Sequence, residues 1–223
     1  QLTRELATSR VLVGFQEGSL DYPPTFKLER QPGFHYGQKR VPSYCDRILF
    51  KSLPGLVQNL QLQWIQPVSS VATSDHKPVV SLYDVGVRKP CSRGGPTGSA
   101  YIEITGLHAT RLTAMDANGK SDAYVKFFSP ALEVGKRAPQ TKVMKATVDP
   151  RWPDAHVPTL SCGRRLLANI QQEHLFCAVW DKDLGKKDDL IGMAVVSLSV
   201  CDQSHAPVQF DADVVRDGQL HGK

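Results

Sequence analysis

The chain has 223 residues, 41% of them hydrophobic and 22% charged, with a formal net charge of +5. That composition belongs to a soluble globular protein of one or two domains; it excludes a disordered chain, and no apolar run is long enough for a membrane-spanning helix. Five cysteines (45, 91, 162, 177, 201), widely spaced and without a CxxC pair, exclude a disulfide framework and a cysteine zinc site, and point to free thiols in a reducing cytoplasm.

In chain order, QLTRELATSR carries Leu2 and Leu6 four residues apart, which predicts a helix. The chain opens on Gln1 rather than Met and shows no secretory leader, so a piece of a longer protein is expected. Residues 14–24 are loop-rich, and a strand is expected over 46–50. Over 59–65, Leu60, Leu62 and Trp64 alternate with Gln61 and Gln63, predicting a strand with the three apolar side chains on one face. Another strand, rich in Val and Leu, is expected over 78–83. RKPCSRGGPTGS (88–99), with three Gly, two Pro and two Ser, reads as a linker. Beyond it, strands are expected over 100–106, 122–128, 140–145, 175–180 and 190–198, separated by polar loops, the pattern of an all-β antiparallel sandwich. Residues 1–89 hold 11 Lys/Arg against 7 Asp/Glu, and residues 90–223 hold 16 against 15, so the basic surplus lies in the first segment. No finger, basic helix or aromatic–basic interleaving accompanies it, which excludes a nucleic-acid partner.

The chemistry of the first segment centres on Asp46 in RVPSYCDRIL (40–49) and His76 in SDHKP (74–78), flanked by Lys27, Lys39 and Arg40. A carboxylate that orients an imidazole, ringed by fixed cations, is the equipment of phosphate-ester chemistry; without the flanking motif such a pair would more often be a core hydrogen bond. Tyr44 and Cys45 read as packing, since no general base accompanies the thiol. These two motifs, with PPTFKL (23–28) and GFQEGSLDY (14–22) before them, resemble in order and spacing the inositol polyphosphate 5-phosphatases. The resemblance covers residues 1–86. It implies an α+β fragment of the four-layer αββα sandwich of the endonuclease/exonuclease/phosphatase superfamily, and magnesium-dependent removal of the 5-phosphate from phosphoinositides or inositol phosphates. It further implies that Asp46 holds His76 toward a phosphoryl oxygen, that Asp75 orders the attacking water or the metal, and that Lys27, Lys39 and Arg40 bind substrate phosphates. A role for Arg47 stays open between structure and phosphate contact. The segment departs from the family at Phe26, where Tyr is usual, and at Gln38, with Lys39 one place later. The family's WxGDxN signature and metal-holding glutamate are absent, so the magnesium site is expected mostly outside this chain and the fragment alone is expected to be inactive.

In the second segment, Asp116 and Asp122 stand six apart around Gly119, and Asp181, Asp183 and Asp189 are spaced by two and six. Bare clustered carboxylates repel one another, and calcium wants six to eight oxygens, so two such loops at one end of a sandwich are expected to hold calcium. The five positions, with KATVDPRWPD (145–154), resemble the C2 domain, an eight-stranded antiparallel sandwich, here over residues 100–223 and lacking its last strand. The resemblance implies that the five aspartates are calcium ligands and that the loaded loops dock on an anionic membrane surface. Leu112, Met115 and Leu184 flank the loops and read equally as membrane contacts or as packing. A lysine-rich strand usual before the tryptophan signature is reduced to Lys142 and Lys145.

The expected organisation is therefore residues 1–86 as an incomplete phosphatase domain, 87–99 as linker and 100–223 as a C2 domain. The function it implies is that of a cytoplasmic 5-phosphatase peripheral to membranes. A calcium-dependent lipid-binding adaptor with a vestigial phosphatase remnant is the alternative.

Overall fold

In a computed structural model that describes residues 2–8, 11–89, 98–133, 135–202 and 206–223, the chain divides into two units, Gly14–Val87 and Gln1–Val13 with Arg88–Lys223. Residues 90–97, the greater part of the expected linker together with Cys91, lie outside the described residues.

Regular structure in Gly14–Val87 is sparse. β1 (Gln16–Glu17) pairs with β2 (Leu49–Phe50), and β3 (Leu60–Pro67) pairs with β4 (Val79–Val85), both antiparallel. The pairing of β3 with β4 shifts between Leu62 and Trp64, a bulge that reverses which face each later residue takes. Trp64 therefore leaves the face of Leu60 and Leu62 and is 44% exposed, while Ile65 turns inward. The simple alternation expected over 59–65 is corrected accordingly. The chain between β1 and β2 is held by isolated bridges, Phe26 with Ser43 and Leu28 with Tyr36. Leu28 N–H donates to the Asp75 carbonyl (2.9 Å) and Lys77 N–H to the Thr25 carbonyl (3.0 Å), which lays the 23–28 and 74–78 segments side by side.

In the other unit, α1 (Leu2–Ala7) opens the chain, and Val13 N–H donates to the Gly218 carbonyl at 2.9 Å. β5 (Ala100–Ile102) pairs with β7 (Leu160–Gly163). A short α2 (Leu167–Ile170) precedes β8 (His174–Asp181), followed by β9 (Asp189–Ser197), β10 (Val215–Arg216) and β11 (Gln219–Leu220). With β6 (Ala123–Phe128) these last four form one antiparallel sheet in the order β11-β10-β9-β8-β6. The core lies behind the inward residues of this sheet: Ala123, Val125 and Phe127 of β6, Leu175 and Val179 of β8, and Ile191 of β9 pack with Trp152, Leu160 and Cys162. Trp152 also donates its indole N–H to the Lys142 carbonyl (2.9 Å). The strand expected over 140–145 is broken into bridges, in which Thr141 N–H bonds Val125 and Met144 exchanges both hydrogen bonds with Ala123.

The last residues are paired. Asp217 and Gly218 both take positive φ (52° and 74°), as a two-residue primed turn demands, and join β10 to β11. His221 and Lys223 then bond Thr113 and Thr110. At Gly192 a side chain would begin 2.8 Å from Val214 Cγ1, so the close approach of β10 to β9 needs glycine there.

Candidate functional site

Two clusters arise, one in each unit. In Gly14–Val87, the bridges that align 23–28, 43–46 and 74–78 bring Asp46 and His76 together, with His76 Nδ1 2.8 Å from Asp46 Oδ2. The same carboxylate oxygen accepts from Thr25 Oγ1 at 2.7 Å, so the Asp46 side chain is held from two directions. Thr25 is fully buried, as is Lys77, whose ammonium donates to the Gln31 carbonyl at 2.7 Å and to the Val71 carbonyl. Phe26, which stands where Tyr was expected, lies against the imidazole, ring centroids 4.6 Å apart.

Lys27 pairs with Asp75 (3.2 Å), and that hydrogen bond holds the Asp75 carboxyl below the ordinary carboxylate range. Lys39 and Arg40 are exposed and make no ion pair among the described residues. Of the two readings left open for Arg47, the geometry favours the structural one: its guanidinium makes a two-pronged pair with Glu17 in the interior of the unit and ties β1 to the 46–50 segment. Tyr22 beside it is buried, and burial followed by the Glu17 charge raises its phenol.

In the second unit, the register that pairs Ala123 with Asp181 puts the loops before β6 and after β8 side by side. Asp122 N–H donates to Asp181 Oδ1 (2.6 Å) and Lys182 N–H to the Asp122 carbonyl (2.9 Å). The 116–120 loop closes on itself, with Asp116 N–H bonding Lys120 and Gly119 N–H bonding Asp116, and Gly119 supplies the required φ of +75°. Carboxylate oxygens of Asp116, Asp181 and Asp183 then fall within 4.8 Å of one another. Asp181 is 1% exposed, and its burial, reinforced by the charges of Asp116, Asp183 and Asp122, raises its carboxyl above the usual range. The Asp183 side chain is 9% exposed and its Oδ2 is buried without a hydrogen-bond partner. Lys186 meets the other oxygen of this carboxylate at 3.2 Å, which leaves the buried Oδ2 open to a further cation or donor.

Of the five aspartates expected together, three converge. Asp122 Oδ1 accepts from Ala146 N–H (2.8 Å), and Asp189 pairs with Lys186 (3.0 Å). Leu112 is buried in the core, Met115 packs against it, and Leu184 stands 97% exposed at the loop tip. Lys142 and Lys145 are exposed.

Two neighbours of these clusters carry little signal in the sequence. Thr25 lies inside the PPTFKL segment, where its hydroxyl is the one available sign. Asp188 stands beside Asp189 and looks like one more loop acid. Its carboxylate accepts from Tyr124 Oη (2.6 Å), Lys182 Nζ (2.9 Å) and Asp183 N–H (3.3 Å), and the Tyr124 and Lys182 bonds hold its carboxyl down at about 2.

Both segments of the chain have counterparts in known families. Residues 1–82 match the Endonuclease/Exonuclease/phosphatase family 2, and residues 100–211 match the C2 domain. The chain is 29% identical over 200 residues to phosphatidylinositol 3,4,5-trisphosphate 5-phosphatase 2 of Homo sapiens, covering 82% of this chain and 15% of that protein. It is 30% identical over 149 residues to phosphatidylinositol 3,4,5-trisphosphate 5-phosphatase 1 of Xenopus laevis, covering 60% of this chain and 14% of that protein. The chain thus spans about a seventh of the length of these relatives. Among solved structures, a C2 domain of RIM from Drosophila aligns with a TM-score of 0.36 at 20% identity, over 49% of this chain and 88% of that one. A C2 domain of plant Extended Synaptotagmin 1 aligns with a TM-score of 0.37 at 22% identity, over 47% of this chain and 72% of that one.

Proposed function

The chain belongs to the C2 domain family over residues 100–211, preceded at 1–82 by an endonuclease/exonuclease/phosphatase family 2 segment, and from this premise we propose that it is part of an inositol polyphosphate or phosphoinositide 5-phosphatase brought to anionic membranes by calcium. The observation that carries the catalytic half is the Asp46–His76 hydrogen bond at 2.8 Å. Asp46, held by Thr25, fixes the imidazole so that its Nε2 donates to a phosphoryl oxygen, and Phe26 limits the tilt of the ring. Lys39 and Arg40, exposed and without an ion pair among the described residues, receive substrate phosphates by charge-assisted hydrogen bonds. Lys27 shares its charge between Asp75 and substrate, while Asp75 orients the attacking water.

Magnesium is the family's cofactor, but among the described residues of Gly14–Val87 no three carboxylate or imidazole groups converge. These residues do not build a magnesium site by themselves. The chain alone is therefore expected to be inactive, and turnover of a soluble inositol phosphate with magnesium by this chain would refute that expectation. The same gap favours the second reading, a lipid-binding adaptor with a phosphatase remnant. A WxGDxN segment upstream in the full protein decides for the enzyme.

The acidic cup does fit calcium: its donors are hard oxygens, and the unmet Asp183 Oδ2 is a ligand atom in waiting. Asp116, Asp181 and Asp183 would hold the ion, with Asp122 and Asp189 beside them. Bound calcium supplies positive charge and open positions for lipid phosphate oxygens. The protein's own part is to keep Asp181 and Asp183 desolvated and to present Leu184 to the headgroup region. Co-sedimentation with phosphatidylserine vesicles tests this: binding in calcium, loss in EGTA and at least a roughly tenfold weaker calcium response in Asp183→Asn are expected. Equal binding in EGTA overturns it.

A further inference from the structure

Lys186 sits in the loop that carries the acidic cup. Its ammonium lies 3.2 Å from Asp183 Oδ1 and 3.0 Å from Asp189 Oδ2, bridging two carboxylates. The bridge is incomplete, because the second oxygen of Asp183 stays buried and unpartnered. A single tethered charge cannot satisfy a cup of this acidity, whereas a divalent cation offers twice the charge and six to eight coordination positions. The ammonium and the cation compete for Asp183. Lys186 is also placed to move: its side chain is 62% exposed, and the neighbouring Gly185, at φ +82°, has open space around it. It lies two residues from Leu184, the exposed tip of the same loop.

We propose that Lys186 is an internal counter-ion of the cup, seated on Asp183 and Asp189 in the ion-free protein and expelled when a divalent cation loads, which frees its ammonium for the phosphates of an anionic lipid surface. The inference rests on the calcium reading of this cup and deepens it: one lysine lowers cation affinity in the free state and adds lipid affinity in the loaded state.

The two effects have opposite signs in one variant. Calcium titration of the chain by calorimetry is compared among wild type, Lys186→Gln, Lys186→Arg and Lys187→Gln; Lys187 is exposed, makes no ion pair among the described residues, and serves as a charge-matched control. Lys186→Gln is expected to bind calcium about fivefold more tightly than Lys187→Gln, with Lys186→Arg close to wild type. At saturating calcium, the same Lys186→Gln protein is expected to bind phosphatidylserine vesicles more weakly than Lys187→Gln. Equal calcium affinities in the two glutamine variants, or equal vesicle binding, overturns the inference while leaving the calcium reading intact. A wild-type chain that shows no calcium uptake removes both.

Discussion

Asp188 offers the sharpest test of how the acidic loops are held. Its carboxylate accepts the Tyr124 hydroxyl at 2.6 Å and the Lys182 ammonium at 2.9 Å, and Tyr124 itself is 2% exposed. Hydrogen bonds to a charged partner contribute about 1.5–3 kcal/mol, and stranding a buried phenol costs about 1–3 kcal/mol. Asp188→Ala is therefore expected to destabilise the chain by about 2–3 kcal/mol and Tyr124→Phe by about 1 kcal/mol. The double variant should fall short of their sum by at least about 1 kcal/mol, because the second change removes a bond already lost. Urea unfolding followed by tryptophan fluorescence measures all four corners, with Trp152 and Trp180 reporting on this unit. The pH dependence has a definite sign. The folded-state carboxyl lies at about 2, below its ordinary value near 3.8, so its stabilisation is fully present above that ordinary value and is lost as the pH falls toward 2. The difference between wild type and Asp188→Asn should stay flat from neutral pH to about 5 and shrink below about 4. Additive single effects, or a difference that grows on acidification, would refute the argument that this carboxylate anchors the loop.

Three further outcomes follow from the geometry. Arg47→Met should destabilise the Gly14–Val87 unit by about 3 kcal/mol because Glu17 is left charged in the interior, whereas the joint Glu17→Met/Arg47→Met change should recover most of that in chemical denaturation. Leu184→Ser should leave calcium affinity unchanged yet weaken vesicle binding about fivefold, since burying part of a leucine contributes about 1 kcal/mol; sedimentation against lipid concentration reads it. Lys27→Met should move the Asp75 carboxyl back up toward the ordinary range, as the hydrogen bond that holds it down is removed, and a carboxyl-carbon NMR titration would show the shift.

The sites are legible in unequal measure. Asp46 and His76 lie 30 positions apart, yet short motifs in order mark both, because each stands in a short loop whose polar residues are close together in sequence. The acids of the second unit are legible from spacing alone. Which of them converge is not: Asp116, Asp181 and Asp183 bring their oxygens together, while Asp122 Oδ1 is taken by the Ala146 N–H and Asp189 is joined to Asp183 only through the shared Lys186 ammonium. The closing hairpin escapes a reading by periodicity although Asp217–Gly218 is a strong local turn signal, since its flanking strands are two residues each and carry no alternation.

Local sequence alone determined the two-part organisation, the antiparallel strands of the second unit and the residue types gathered in the two clusters. These are short-range properties, written in alternation, turn residues and motif spacing. Tertiary structure decided the side on which Trp64 emerges, the internal role of Arg47, the burial of Thr25 and Lys77, and the seating of Lys186 among the acids. Each of those depends on a partner many residues away, or on a bulge that inverts a face, and the strength of a charge or hydrogen bond is set by the water excluded around it.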